Sequence, residues 1–245
     1  MTVRLTERDL RMLAKCALCR WLTTDQLKLL YFPEATLNAV QKRLRKLAEA
    51  GYLRSYREHP TAEAIHAVGP KGKLLVEERG LAVPRAVEVP KQLHHLLGVN
   101  AVRIAVETGE AQVAYFFAYW ELADLGWAHP VIPDAVFAVR ATEKRTFLVE
   151  YDRGTETQEG LLQKVRSYDQ GLPGFPFEAV LVITERTRRL DVLARELRRN
   201  EVSVRTLAST LEEIRGGGFF EVPFVDLLPG GEGRVLEAGA HGGKA

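Results

Sequence analysis

The chain has 245 residues, of which 46% are hydrophobic, 27% charged and 8% aromatic, a composition that gives either one large core or two small ones. It excludes collagen-like, disordered and disulfide-scaffold classes, and the longest uncharged apolar run, over 111–120, falls well short of the roughly 20 residues of a membrane span. The net charge of +2 is divided unevenly: residues 1–90 carry 16 Lys and Arg against 10 Asp and Glu, a net of +6, and the remainder sums to −4, so the N-terminal part is the one suited to a polyanion. The elements begin at Thr6, a cap with Asp9 three residues on, followed by Leu10, Leu13, Ala14, Ala17 and Leu18 at helical spacing; these predict a helix ending near Cys19. A second cap at Thr23 or Thr24 opens a short helix that Pro33 stops, and a third helix runs from Thr36 to Ala50 with Leu37, Val40, Leu44 and Leu47 inward and Gly51 just past its end.

Beyond Gly51 the period shortens to that of strands, over 52–57 and 64–68, with a polar turn at 58–63. Three helices followed by a hairpin is the order of a winged helix-turn-helix. The third helix is then the recognition helix, and Thr36, Asn38, Gln41, Lys42, Arg43, Arg45 and Lys46 are candidates to meet base edges and phosphates of duplex DNA. The hairpin is the wing, with Arg54, Arg57 and His59 near the DNA backbone. A solvated face on any amphipathic helix accounts for the Lys and Arg run by itself; the order of elements together with the +6 is the sharper feature. A helix over 71–79 closes this part, and 83–90, bounded by Pro84 and Pro90, reads as an extended linker.

From Lys91 a helix reaches about Glu107, and strands are predicted over 112–120, 131–139 and 146–152. A helix over 156–170 with Thr155 as its cap, a strand over 179–184, a helix over 188–199, a strand over 202–207 and a short helix near 210–215 complete an αβββαβαβ order. The Gly216–Gly218 run and the glycine-rich end lack periodicity and read as a loop and a flexible tail.

Acids appear where a core does not favour them. Asp134 falls within an apolar strand, and Glu150 and Asp152 alternate on one face of the next. Mutual repulsion in such a cluster is relieved by a divalent cation, with Asp134 and Glu150 as ligands and Mg²⁺ or Mn²⁺ as the ion, or by buried salt bridges to Arg153 or Lys164. The arrangement resembles the PD-(D/E)xK nuclease fold, in which an αβββαβ core presents Pro-Asp on one strand and Glu-x-Lys on the next. Pro133-Asp134 and Glu150 match those positions, Glu107 or Glu110 is a candidate for the further acid near the leading helix, and Asp152 stands where the family has lysine. Lys164, on the following helix with Tyr168 one turn on, is the residue placed to substitute. The resemblance implies a catalytic set of Asp134, Glu150, Asp152 and Lys164.

A longer pattern joins Leu5-Thr6 and Arg8-Asp9, Leu22 to Leu27, the Arg43-Leu-Arg-Lys-Leu run, His94-His95 and Asn100, Pro133-Asp-Ala, and Glu150 to Glu156 with Lys164 and Tyr168. It resembles the replication-relaxation family of plasmids and mobile elements over about residues 5–170. That resemblance implies a DNA-binding protein of plasmid replication or maintenance. Cys16 and Cys19 form a Cys-x-x-Cys inside a helix with no second ligand pair and read as core thiols rather than a zinc site; His94, His95 and Asn100 read as capping or packing groups. The sequence therefore predicts a mixed α/β chain: a winged helix over 1–82, a linker over 83–90, a restriction-endonuclease-like αβββαβ domain over 91–215 and a tail over 216–245. The expected partners are double-stranded DNA, a second copy of the chain and a replication protein, and the charged N-terminus, lacking a signal-peptide core, predicts a cytoplasmic location. The main reading is a DNA-binding factor with an inactive nuclease-like core; the alternative is an active Mg²⁺-dependent DNA endonuclease.

Overall fold

The computed structural model describes residues 3–81, 88–140, 143–228 and 233–236, and the chain divides into two compact units, 1–101 and 102–245. It is a mixed α and β protein with two sheets. Among the described residues no helix is long and apolar enough to cross a membrane.

In the first unit, α1 (Glu7–Cys19) starts on a reciprocal cap: Thr6 Oγ1 accepts from the Asp9 N–H at 3.3 Å and Asp9 Oδ2 accepts from the Thr6 N–H at 2.7 Å. A cap of this kind is worth about 1 kcal/mol. Met12, Leu13 and Cys16 recur at helical spacing and are fully buried. Thr23 caps α2 (Thr24–Tyr31) in the same way with Gln26, and Thr36 caps α3 (Leu37–Glu49), whose Val40, Leu44 and Leu47 are buried. Gly51 follows at φ +84°, the left-handed turn that a side chain resists. A two-residue strand that the periodicity does not predict, β1 (Leu22–Thr23), then joins β2 (Leu53–Tyr56) and β3 (Ile65–Val68) in the order β1-β3-β2, all antiparallel. Helix α4 (Pro70–Glu78) packs on α1, and its Gly72 lies so close to the Tyr52 carbonyl that an added Cβ would stand 2.2 Å from that oxygen. Of the expected linker over 83–90, residues 83–87 lie outside the described residues, and 88–90 has no regular structure.

The second unit is built on a seven-stranded sheet. Helix α5 (Leu93–Thr108) leads into it along the chain, and β4 (Val113–Ala118), β5 (Ala135–Arg140) and β6 (Lys144–Asp152) form an antiparallel meander. Helices α7 (Gln158–Asp169) and α8 (Thr187–Arg199) are crossovers that lay β7 (Ala179–Thr184) and β8 (Thr206–Thr210) parallel to β6. Leu148, Val136 and Val180 pack against Leu161, Val165, Leu193 and Leu197 of these helices; elsewhere in the core Phe137 stacks on Phe147 at 5.2 Å and meets Phe219 edge-on at 5.5 Å.

Several elements differ from the sequence reading. The strand expected to reach Trp120 stops at Ala118, where the Glu121 carboxylate accepts the Ala118 N–H at 2.9 Å and opens α6 (Tyr119–Asp124). The strand expected from Val131 begins at Ala135, because Pro130 and Pro133 supply no N–H to a ladder, so Asp134 stands one residue before β5 rather than inside it. The strand expected over 202–207 begins at Thr206: the Ser203 and Val204 N–H groups, which a strand would use for pairing, donate to Asp169 Oδ1 at 2.8 and 2.6 Å. Thr157, not Thr155, caps α7. The region after 215 is not all tail. Helix α9 (Leu211–Gly217) runs through two of the three glycines, and β9 (Pro223–Asp226) and β10 (Gly233–Val235) extend the sheet beyond β8; 229–232 and 237–245 lie outside the described residues.

Candidate functional sites

In the first unit the packing of Val40, Leu44 and Leu47 turns the opposite face of α3 outward. Thr36, Asn38, Gln41, Lys42, Arg45 and Lys46 are exposed, although the Thr36 hydroxyl already accepts the Ala39 N–H at 3.3 Å as the helix cap. Arg45 lies 3.9 Å from Glu49 across one helical turn, a loose pair between exposed groups. Arg43 differs from its neighbours. Its guanidinium grips Asp9 with Nε to Oδ1 at 3.1 Å and Nη2 to Oδ2 at 2.5 Å, and also donates to the Arg4 carbonyl at 3.0 Å. Burial works to raise the Asp9 pKa, but the hydrogen bonds from Arg43 and Thr6 outweigh it and hold the carboxyl below its ordinary value. Arg43 therefore ties α3 to α1 and is turned away from the exposed face.

The β2–β3 hairpin, expected as a wing, has its own internal bonds. Arg54 is exposed on β2, Arg57 donates to the Ala62 carbonyl across the hairpin turn, and His59 Nδ1 lies 3.0 Å from Thr61 Oγ1. Beneath the hairpin sits a histidine that the sequence reading passed over. His66, 4% exposed on β3, has Nε2 3.0 Å from Thr24 Oγ1 and Nδ1 2.9 Å from Ser55 Oγ. The Thr24 hydroxyl donates to the Ala64 carbonyl at 3.0 Å, so it accepts from His66 Nε2–H, and Nδ1 in turn accepts from Ser55. Burial and the charge of Arg57 hold the imidazole pKa down at about 4. This neutral ring joins α2 to the β2–β3 hairpin and lines a cleft of about 300 Å³, which Gln41 and Arg45 line from α3.

In the second unit the acids are positioned by strand register. Ala135 pairs with Val149, so Asp134 and Glu150 stand at the next position along, and Asp134 Oδ2 accepts the Tyr151 N–H at 2.8 Å. Glu150 is fully buried; Tyr168 donates to its Oε1 at 2.5 Å and Lys164 Nζ lies 3.2 Å from its Oε2. Burial, then the Asp134 charge, push the Glu150 pKa up to about 8 against the opposing pull of Lys164 and Tyr168. Burial alone would lower Lys164, yet Glu150, Asp134 and Glu156, the last at 3.3 Å, carry it above its ordinary value. Asp152, though buried on the same strand, is held separately: Arg189 of α8 grips both its oxygens, with Nη2 to Oδ1 at 3.1 Å, and the Gly154 N–H donates to Oδ1 at 2.8 Å.

The structure thus brings Asp134, Glu150 and Lys164 together and sets Asp152 apart in an ion pair with Arg189, a partner on no motif. Glu107 lies 3.7 Å from the buried Arg103, which also donates to Glu121 and, at 2.8 Å, to the Phe116 carbonyl; Glu110 is exposed. No group of three or more His, Cys, Asp or Glu is placed to hold a metal ion among the described residues. Cys16 and Cys19 are buried free thiols, and burial pushes the Cys16 thiol upward in pKa. Asn100 donates to the Cys19 and Trp21 carbonyls at 2.9 and 2.8 Å, which satisfies the end of α1, and His94 pairs with Glu58 at 2.9 Å.

No curated protein and no solved structure matches the chain. A family model described as replication-relaxation matches residues 10–172, about two thirds of the length, and the chain belongs to that family, whose description points to a replication-related function.

Proposed function

We propose that the protein binds duplex DNA through α3 and the β2–β3 wing, as a factor of plasmid or mobile-element replication or maintenance. The observation that carries this reading is the outward face of α3, where Asn38, Gln41, Lys42, Arg45 and Lys46 are all exposed while the opposite face is buried. Helix α3 follows α2 across the short turn 32–36, the order in which the second helix enters the major groove. Asn38 and Gln41 suit adenine edges, and Lys42, Arg45 and Lys46 suit guanine or phosphate. Arg54 is the wing's candidate for the DNA backbone, Arg57 shapes the wing turn, and Arg43 serves folding.

The second unit acts in this reading as a nuclease-like core without catalysis, with Asp134, Glu150, Asp152 and Lys164 as internal charges. The residues do not fit a Mg²⁺ or Mn²⁺ ion held by Asp134 and Glu150. Tyr168 and Lys164 engage the two Glu150 oxygens, the Tyr151 N–H engages Asp134, and Arg189 neutralises the third acid. The second reading, an endonuclease, rests on one observation that stands against that poor fit to a metal: the Lys164 ammonium lies 3.2 Å from Glu150 and is also drawn by the Asp134 charge. A second copy on an adjacent half-site and a replication-protein partner belong to the proposal; sedimentation with and without DNA tests the former.

The deciding experiment incubates the protein with supercoiled plasmid and linear duplex in Mg²⁺, Mn²⁺ or chelator, alongside Asp134→Ala and Glu150→Ala. A mobility shift that chelator leaves unchanged, without cleavage, is expected. Metal-dependent nicking that both variants lose would establish the endonuclease instead, and no shift under any condition would overturn DNA binding.

A further inference from the structure

Helix α8 carries charge that the core does not need. Its Leu190, Leu193 and Leu197 are buried, and Arg189 is committed to Asp152 and to the Glu156 carbonyl at 2.7 Å. On the opposite side Arg188, Arg195 and Arg199 are exposed, and none of them has an ion pair or side-chain hydrogen bond among the described residues. Spacings of seven and eleven residues return to within about 20° of one direction on a helix, so the three guanidiniums form a straight stripe about 17 Å long. Arg198 is exposed about 80° round the helix from it, and Asp191 is the exposed acid of the helix. The stripe belongs to the part of the chain whose overall charge, over residues 91–245, is −4, so it is a local concentration of positive charge against an acidic background.

We infer that the outer face of α8 is a second contact for a nucleic-acid phosphate backbone. Three features fit that ligand. Guanidinium forks pair with phosphate in two-point geometry. A duplex carries a charge about every 1.7 Å along its axis, so a straight stripe meets phosphates along its whole length. Helix α8 is also fixed to the sheet through Arg189, so the arginines are presented from a rigid support. The polar side chains flanking the stripe are Arg198, Asp191 and the half-buried Glu196, and arginine contacts to phosphate carry no sequence information, so the contact is expected to read charge and not sequence.

The test is fluorescence anisotropy of the full chain with a labelled short duplex of random sequence, repeated over a salt series. Replacing Arg188, Arg195 and Arg199 together with Gln is expected to reduce the slope of log affinity against log salt by about 2 to 3, and the matching Lys variant to retain it. The substitutions are on the exposed face, so thermal unfolding should be unchanged. A Lys42→Ala, Arg45→Ala and Lys46→Ala variant run in parallel separates this inference from the reading of α3. Weakening in that variant with no change in the Gln variant would overturn the α8 contact alone. The reverse pattern would support the α8 contact and overturn the α3 reading. Polyglutamate binding as tight as that of the duplex, and lost in the Gln variant, would overturn the assignment to nucleic acid.

Discussion

Lowering the pH should loosen the first unit through His66. The ring is neutral when folded, with its pKa held at about 4 against an ordinary 6.5. Between those values the unfolded chain binds a proton that the folded protein refuses, so stability is complete above the unfolded pKa and falls as pH drops from 6.5 toward 4. At about 1.4 kcal/mol per pH unit of displacement the full loss approaches about 3 kcal/mol, and the share between pH 8 and pH 5 is about 2 kcal/mol. Structure gives the reason: a second ring proton would sit at Nδ1, where Ser55 now donates, with Nε2–H already committed to Thr24 and Arg57 nearby. Urea unfolding of the native protein and of His66→Gln, followed by circular dichroism at pH 8 and pH 5, measures the difference directly. The variant should lose about 2 kcal/mol less than the native protein over that interval. Equal pH dependence in the two proteins would refute the assignment of a neutral, load-sharing His66 between α2 and the wing.

Arg43→Ala should cost about 3 kcal/mol in urea unfolding, since it strands the buried Asp9 carboxylate, whereas Lys42→Ala and Lys46→Ala should change stability by no more than about 0.5 kcal/mol. Gly72→Ala should destabilise by about 2 kcal/mol despite the gain in helix propensity, because the new Cβ meets the Tyr52 carbonyl oxygen at 2.2 Å; a raised melting temperature would contradict the packing of α4. Tyr168→Phe removes the 2.5 Å hydrogen bond to Glu150 and should cost about 1.5 kcal/mol in the same unfolding assay.

What the sequence discloses depends on how far apart the partners are along the chain. Helix α1 was legible because Thr6 and Asp9 lie three residues apart, and most of the buried stripe of α3 because its spacing is internal to one helix, although Leu37 in the first turn, expected inward, is exposed. The role of Arg43 was not, since its partner Asp9 is 34 residues away. The same applies to Asp152, whose apparent place in an acid cluster is decided by Arg189, 37 residues on, and to the missing strand at 202–205, whose Ser203 and Val204 N–H groups are taken by Asp169. That Asp134 and Glu150 would come near each other could be anticipated, because the apolar runs after Asp134 and before Glu150 carry strand chemistry locally. Strands β9 and β10 could not, because segments of four and three residues are too short to show a periodic mark. His66 was hidden for a related reason: an alternating strand does not reveal that Thr24 and Ser55 will meet its two ring nitrogens.

In the proposed function, α3 reads duplex DNA. Selection of bound sequences from a random duplex pool, performed with the native protein and with Gln41→Ala, tests this reading. A recovered motif is expected in which Gln41→Ala relaxes preference at one or two positions, at a cost of about 1 to 3 kcal/mol for the native motif. An unchanged motif, or no enrichment by the native protein, would contradict it.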